Sequence, residues 1–243
     1  ERCDIWRNAH EELIMQSLDT SVIENIKIVN AKYFHEKSGS RIELNYKIYG
    51  NGILKIKQTL YSSGVENPEL PRFGMKVSVN ETFDSLEWFG RGPHESYWDR
   101  KTSAKIDRYK GKVIDQTYKY VRPQETGNKT DIRWLALYNG SIGLMVKGLP
   151  VFDGSVHHYD YALLDYYKGS QLHGKTDIIK GDQIDLIVDH KQMGVGGDNS
   201  WGAKPHPKYT LPMDTTVYNL EYAIIPFNKN NELDALSSIN IDN

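Results

Sequence analysis

At 243 residues and 27.9 kDa the chain is long enough to bury a sizeable core, in one large β domain or two small ones. Its 30 Lys and Arg against 32 Asp and Glu leave a net charge of −2, which removes any bulk pull toward nucleic acid or anionic membrane and favours neutral ligands. One cysteine, Cys3, excludes an internal disulfide, and no apolar run approaches the ~18 residues that cross a bilayer.

The N-terminus, Glu1-Arg2-Cys3-Asp4-Ile5-Trp6, lacks an initiator Met, a basic n-region and an apolar h-region, and reads as the cut or processed end of a longer polypeptide. From about Cys3 to Gln16 the residues Ile5, Trp6, Ala9, Leu13 and Ile14 fall at helical spacing and predict one short amphipathic helix. Strands follow. Asn25 to Tyr33 alternates loosely, and Ile42, Leu44, Tyr46 and Ile48 alternate without fault against Glu43, Asn45, Lys47 and Tyr49. Gly50-Asn51-Gly52 turns the chain into Leu54, Ile56 and Leu60, and Asn139-Gly140 joins Trp134–Tyr138 to Ile142–Val146 in the same way. Between these hairpins Met75–Val79 and Leu86–Phe89 read as strands, the second broken by Gly90-Arg91-Gly92-Pro93. His94 to Arg100 fits one helical turn, Tyr118 to Pro123 an extended piece, Val151 to Tyr159 a strand, and Tyr161 to Lys168 a short helix.

Ile184, Leu186, Val188 and His190 then point one way and Asp185, Ile187 and Asp189 the other, so a strand feeds the stretch M-G-V-G-G-D-N-S-W at 193–201. Three glycines in four positions allow a tight backbone approach, and Asp198-Asn199-Ser200-Trp201 forms a polar tip holding one large ring. Val217 to Ile225 makes the last strand, with Pro226 as its stop. Beyond Phe227 the Asn-rich segment 228–243 has little apolar surface and predicts a poorly ordered tail. About a dozen short strands and almost no long helix predict an all-β sandwich in one domain over residues 1–227.

Carboxylates come first among candidate chemical groups, because glycoside hydrolysis uses two of them flanking the scissile bond. The loops offer Glu95, Asp99, Glu125 and Asp198; Glu125 and Asp198 stand out because each lies in a Gly/Asn turn. His157 and His158 are adjacent on a strand and face opposite ways, and His173, His190 and His206 follow no ligand spacing, so no metal site is expected. Phosphate-cradling loops and a nucleophile elbow have no support either. Trp201 remains, as a platform for the apolar face of a pyranose or as a ring packed under its own loop.

Four segments, L-P-R-F-G-M (70–75), W-F-G-R-G-P-H-E-S-Y-W-D-R (88–100), Y-V-R-P-Q-E-T-G-N (120–128) and M-G-V-G-G-D-N-S-W (193–201), resemble in order the C-terminal small-chain domain (domain 5) of the glycoside hydrolase family 2 β-galactosidases. The resemblance covers about residues 1 to 227. It departs at His94, where the family has Gln, and at Trp98, where it has Pro. The preceding family signature W-R-A-P-T-D-N-D is absent, so the chain is expected to begin just downstream of it.

The resemblance implies a large antiparallel β-supersandwich, galactose mutarotase-like. It implies a retaining hydrolase of terminal β-D-galactosides whose catalytic glutamates and magnesium lie in a barrel domain or large subunit, with no catalytic residue or cofactor in this segment. By motif match Trp201 contacts the sugar and Asp198 and Asn199 shape its loop. The implied partners are a galactoside and the barrel, with a homo-oligomer allowed; the compartment, cytoplasmic or periplasmic in a bacterium, is left open. The rival readings are a stand-alone carbohydrate-binding module and an aldose 1-epimerase-like enzyme, the latter needing a His and a Glu that converge on one cleft.

Overall fold

The structure is a computed structural model that describes residues 2–64, 66–121, 124–159, 180–199, 201–228 and 230–241. The helix expected at Tyr161 to Lys168 lies outside these. Among the described residues eleven strands make one antiparallel system: β1 (Leu13–Ile23), β2 (Ile26–His35), β3 (Ser40–Ile48), β4 (Leu54–Tyr61), β5 (Arg72–Asn80), β6 (Ser85–Gly92), β7 (Lys105–Lys112), β8 (Lys129–Tyr138), β9 (Ile142–His157), β10 (Gln183–Gln192) and β11 (Val217–Asn228). Their order is β1-β2-β3-β4-β11-β9-β8-β6-β7, with β10 set off this path between β9 and β5. The long β9 joins the two parts. Its first half lies between β11 and β8, and its second half, Asp153 to His157, pairs with β10.

Alternation predicts the faces well where one side is buried. Ile56, Leu60, Leu220 and Tyr222 enter a core shared with Trp88, Phe152, Ile184, Leu186 and Val188 from the other strands. β10 is enclosed on both faces, since Asp185, Ile187 and Asp189 are buried as well. Expected boundaries shift in two places. β6 continues through Gly90 to Gly92, and β11 continues past Pro226, which lies opposite Leu144.

Two expectations are corrected. The N-terminal helix shrinks to one 3-10 turn, Asp4–Trp6, inside a run of tight turns, while Leu13 and Ile14 open β1 opposite His35 and Phe34. A segment this short is marginal as an isolated α-helix, and the open edge of β2 offers Leu13 onward a ladder of backbone bonds along one side. The expected loose tail instead carries a short helix, α1 (Leu233–Ser237). Leu236 and Ile241 are buried in a second cluster with Trp134, Met145 and Ile225, and Leu233 and Ile239 pack beside them. The Lys147 ammonium donates to the Ile239 carbonyl at 2.6 Å. Four apolar residues suffice because the outer face of β8, β9 and β11 supplies the surface they cover.

Candidate functional site

The glycine-rich loop leaves the end of β10, a strand held on both sides: Gln192 lies opposite Arg72 of β5, and Asp189 opposite Asp153 of β9. Its root is tied by backbone bonds, Met193 N–H to the Pro71 carbonyl at 2.9 Å and Gly194 N–H to the Tyr209 carbonyl at 2.8 Å. In the middle, Gly196 N–H donates to Asp99 Oδ2 at 2.9 Å. The two arms touch backbone to backbone at Gly197, where an added Cβ would stand 2.5 Å from the Ala203 carbonyl carbon. At the tip Asp198 Oδ1 meets His206 Nε2 at 2.8 Å, and Trp201 N–H donates to Asn199 Oδ1 at 2.8 Å. Trp201 is 92% exposed. Asp198, Asn199 and Trp201 are thus brought together on one solvent-facing tip, braced by groups that sequence reasoning did not link to them.

Segment 93–100 forms that brace. It does not make the expected helical turn; Tyr97 and Arg100 close a tight backbone bridge instead. Trp98, at the position where the resembling family has Pro, packs edge-on to Tyr209 at 6.0 Å and lies 4.2 Å beneath the Lys191 ammonium. Asp99 faces the glycine-rich loop, and Glu95 faces inward. Glu95 accepts from Gly127 N–H at 2.8 Å, Thr126 Oγ1 at 3.2 Å, Tyr97 OH at 3.4 Å and the Tyr120 hydroxyl. A carboxylate with four donors is a fixed structural post.

Behind Glu95 lies a buried ionic cluster. Arg72 Nε and Nη2 bind Asp189 Oδ2 at 2.9 and 2.6 Å, and Arg72 Nη1 stands 3.6 Å from Glu125 Oε2. Burial pushes the Glu125 carboxyl up to about 7 although Arg72 beside it pulls the other way. Burial brings Lys129 down to about 8, with its ammonium on the Gly127 carbonyl at 3.0 Å. Burial, reinforced by the charges of Arg72 and Lys129, drives His157 down to about 3. His157, beside Thr117 and Tyr159 in this interior, is fully enclosed and held neutral, so it offers a sugar neither an open face nor a charge. Sequence reasoning passed over Arg72 and Asp189, which meet across 117 residues, and it offered Glu95 only as one loop carboxylate among four, without its partners from segment 118–127.

The four loop carboxylates therefore have separate fates. Glu95 and Glu125 belong to the interior network, Asp99 is lodged under the loop, and Asp198 is tied to His206. Among the described residues no three His, Cys, Asp or Glu side chains converge as metal ligands.

Residues 1–224 match the family model described as beta galactosidase small chain. The chain is 41% identical over 220 residues to a beta-galactosidase of Priestia megaterium, a match covering 90% of this chain and 21% of that protein. It is 31% identical over 204 residues to a beta-galactosidase of Vibrio cholerae, covering 83% of this chain and 19% of that one. Among solved structures, a galactose 1-epimerase from Lactobacillus acidophilus superposes with a TM-score of 0.46 at 10% identity, over 87% of this chain and 66% of the other. The chain spans about a fifth of the length of the curated relatives it matches.

Proposed function

Because the chain belongs to the beta-galactosidase small-chain family, we propose that it is the C-terminal segment of a retaining family 2 β-galactosidase and lends that enzyme Trp201 as a sugar-stacking platform. The catalytic glutamates and the magnesium then belong to a barrel domain or large subunit. One observation carries the reading: an indole that is 92% exposed is held at the end of a strand buried on both faces, on a loop anchored at root, middle and tip. Exposing so large an apolar ring forgoes roughly 2 kcal/mol of burial, a cost that makes sense where a ligand covers the ring. Asp198 and Asn199 shape the tip through His206 and the Trp201 amide.

Retaining hydrolysis needs two carboxyl groups roughly 5 Å apart across an open site. The loop carboxylates described above are committed to donors and cations instead, which supports a chemistry carried elsewhere in the protein.

The test is Trp201→Ala in the full-length enzyme. Loss of stacking worth ~1–3 kcal/mol should raise KM for an aryl β-galactoside about 10-fold, and the isolated chain should not hydrolyse it. Unchanged KM would remove Trp201 from the site. The exposed platform also suits a stand-alone sugar-binding module. Calorimetric titration of the isolated chain with galactose separates the two, since only the module binds without the barrel.

A further inference from the structure

We infer that Asp99 is the positioning residue of the sugar-contact loop, fixing where Trp201 stands by gripping the loop at its middle. This rests on the proposed role of Trp201. Between the backbone bonds at the loop's root and the Asn199 bond at its tip, Asp99 Oδ2 takes the Gly196 amide at 2.9 Å. The carboxylate is lodged against the loop backbone: a Cβ on Gly194 would stand 2.9 Å from Asp99 Cγ, and one on Gly196 would stand 3.6 Å from its Oδ2. Its Oδ1 is buried without a hydrogen-bond partner, so the bond from Gly196 to Oδ2 is the one that ties the carboxylate to the loop. Asp99 is itself immobilised. The Tyr97–Arg100 bridge closes the turn that carries it, at 2.8 and 3.1 Å, and Trp98 next to it is wedged against Tyr209 and Lys191. The glycine at 194 thus makes room for the carboxylate, and that carboxylate joins the loop to the segment that carries the Glu95 post four residues earlier.

The test uses the full-length enzyme with an aryl β-galactoside. Asp99→Ala should raise KM about 10-fold with little change in kcat, and Asp99→Asn, whose amide oxygen still accepts from Gly196, should recover most of it. The double variant with Trp201→Ala should be no worse than Trp201→Ala alone, because Asp99 acts through that ring. Gly194→Ala, whose methyl displaces the carboxylate, should reproduce Asp99→Ala. Hydrogen–deuterium exchange of the peptide spanning 193–201 should accelerate in Asp99→Ala. Losses that multiply in the double variant, or exchange unchanged in both Asp99→Ala and Gly194→Ala, would overturn the assignment. If Trp201→Ala alone leaves KM unchanged, the sugar contact is wrong, and the exchange measurement still decides whether Asp99 anchors the loop.

Discussion

Gly197→Ala is the sharpest perturbation of the loop that leaves the core alone. The new methyl would stand 2.5 Å from the Ala203 carbonyl carbon and 2.7 Å from the Ala203 Cβ, with the carbonyl oxygen closer still. Ordinary contact begins near 3.4 Å, so the two arms must part by about 1 Å, against an overpacking cost of roughly 1–3 kcal/mol. Ala203 is only half-buried and Trp201 and Gly202 beyond it are exposed, so the loop can open into solvent. The strain should leave through a displaced tip rather than through global unfolding. Misplacing a binding group by 1 Å can forfeit its whole contribution, so kcat/KM of the full-length enzyme should fall by up to the ~10-fold expected for Trp201→Ala while Tm moves by less than about 3 °C. Gly50→Ala, with nothing within 4 Å of its added Cβ, is the neutral control. Full activity in Gly197→Ala would refute the claim that loop geometry sets the position of Trp201.

Three further outcomes follow from the packing. Leu236→Ala removes a buried side chain of α1 from the second cluster and should cost ~2–3 kcal/mol, lowering Tm by about 5–10 °C; no shift in a thermal melt would mean that the C-terminal segment does not pack. Arg72→Met strands the Asp189 carboxylate, which is 1% exposed, and should cost ~3–5 kcal/mol, with partial recovery when Asp189→Asn is added; denaturant titration reads both. Glu125 has a folded pKa of about 7, above its ordinary value, so its protonated form favours folding fully at acid pH and that gain is lost as pH rises through 7. Glu125→Gln should therefore change stability relative to the parent by up to ~3 kcal/mol between pH 5 and 8, in the direction of relative gain at high pH, and a pH-independent difference would contradict the burial of that carboxyl.

The strands that could be read from sequence are those with one face in the core. β3 and β11 declare themselves by alternating polar residues with Leu, Ile or Tyr; β10 alternates as well, but its polar face of Asp185 and Asp189 is buried against ion-pair and hydrogen-bond partners rather than water. β1 and β7 do not. β1 leaves Leu18 57% and Val22 69% exposed, so its backbone pairing with β2, not its side chains, makes it a strand. β7, K-I-D-R-Y-K-G-K, is charged and largely exposed, and exists because β6 offers it a ladder. Helical spacing over Cys3–Gln16 misled for the same reason, since spacing carries no information on which remote edge is open. In the candidate site the loop itself was legible, because glycine density and a terminal Trp are local signals. The bond from Gly196 to Asp99 spans 97 residues, and Arg72 to Asp189 spans 117, so neither leaves a trace in local pattern.

The position of the ionic cluster explains why the loop can be both glycine-rich and firm. Glycine widens the conformational choice of the free loop, so a tip that holds an indole in one place needs anchors worth more than that entropy. The tip's own bonds, to Asn199 and His206, are local and exposed, and the interior anchors lie elsewhere, leaving a ligand space. They lie at the two ends of segment 93–100 and at the root of β10, where Glu95 binds Gly127 and Arg72 binds Asp189 within the interior. Stiffness built by buried charges is thus passed outward through Trp98 and Asp99 to a surface loop whose own sequence could not supply it. On this reasoning the interior carboxylates support the proposed sugar contact from a distance, and Gly194 is the condition for Asp99 to come close enough to hold the loop.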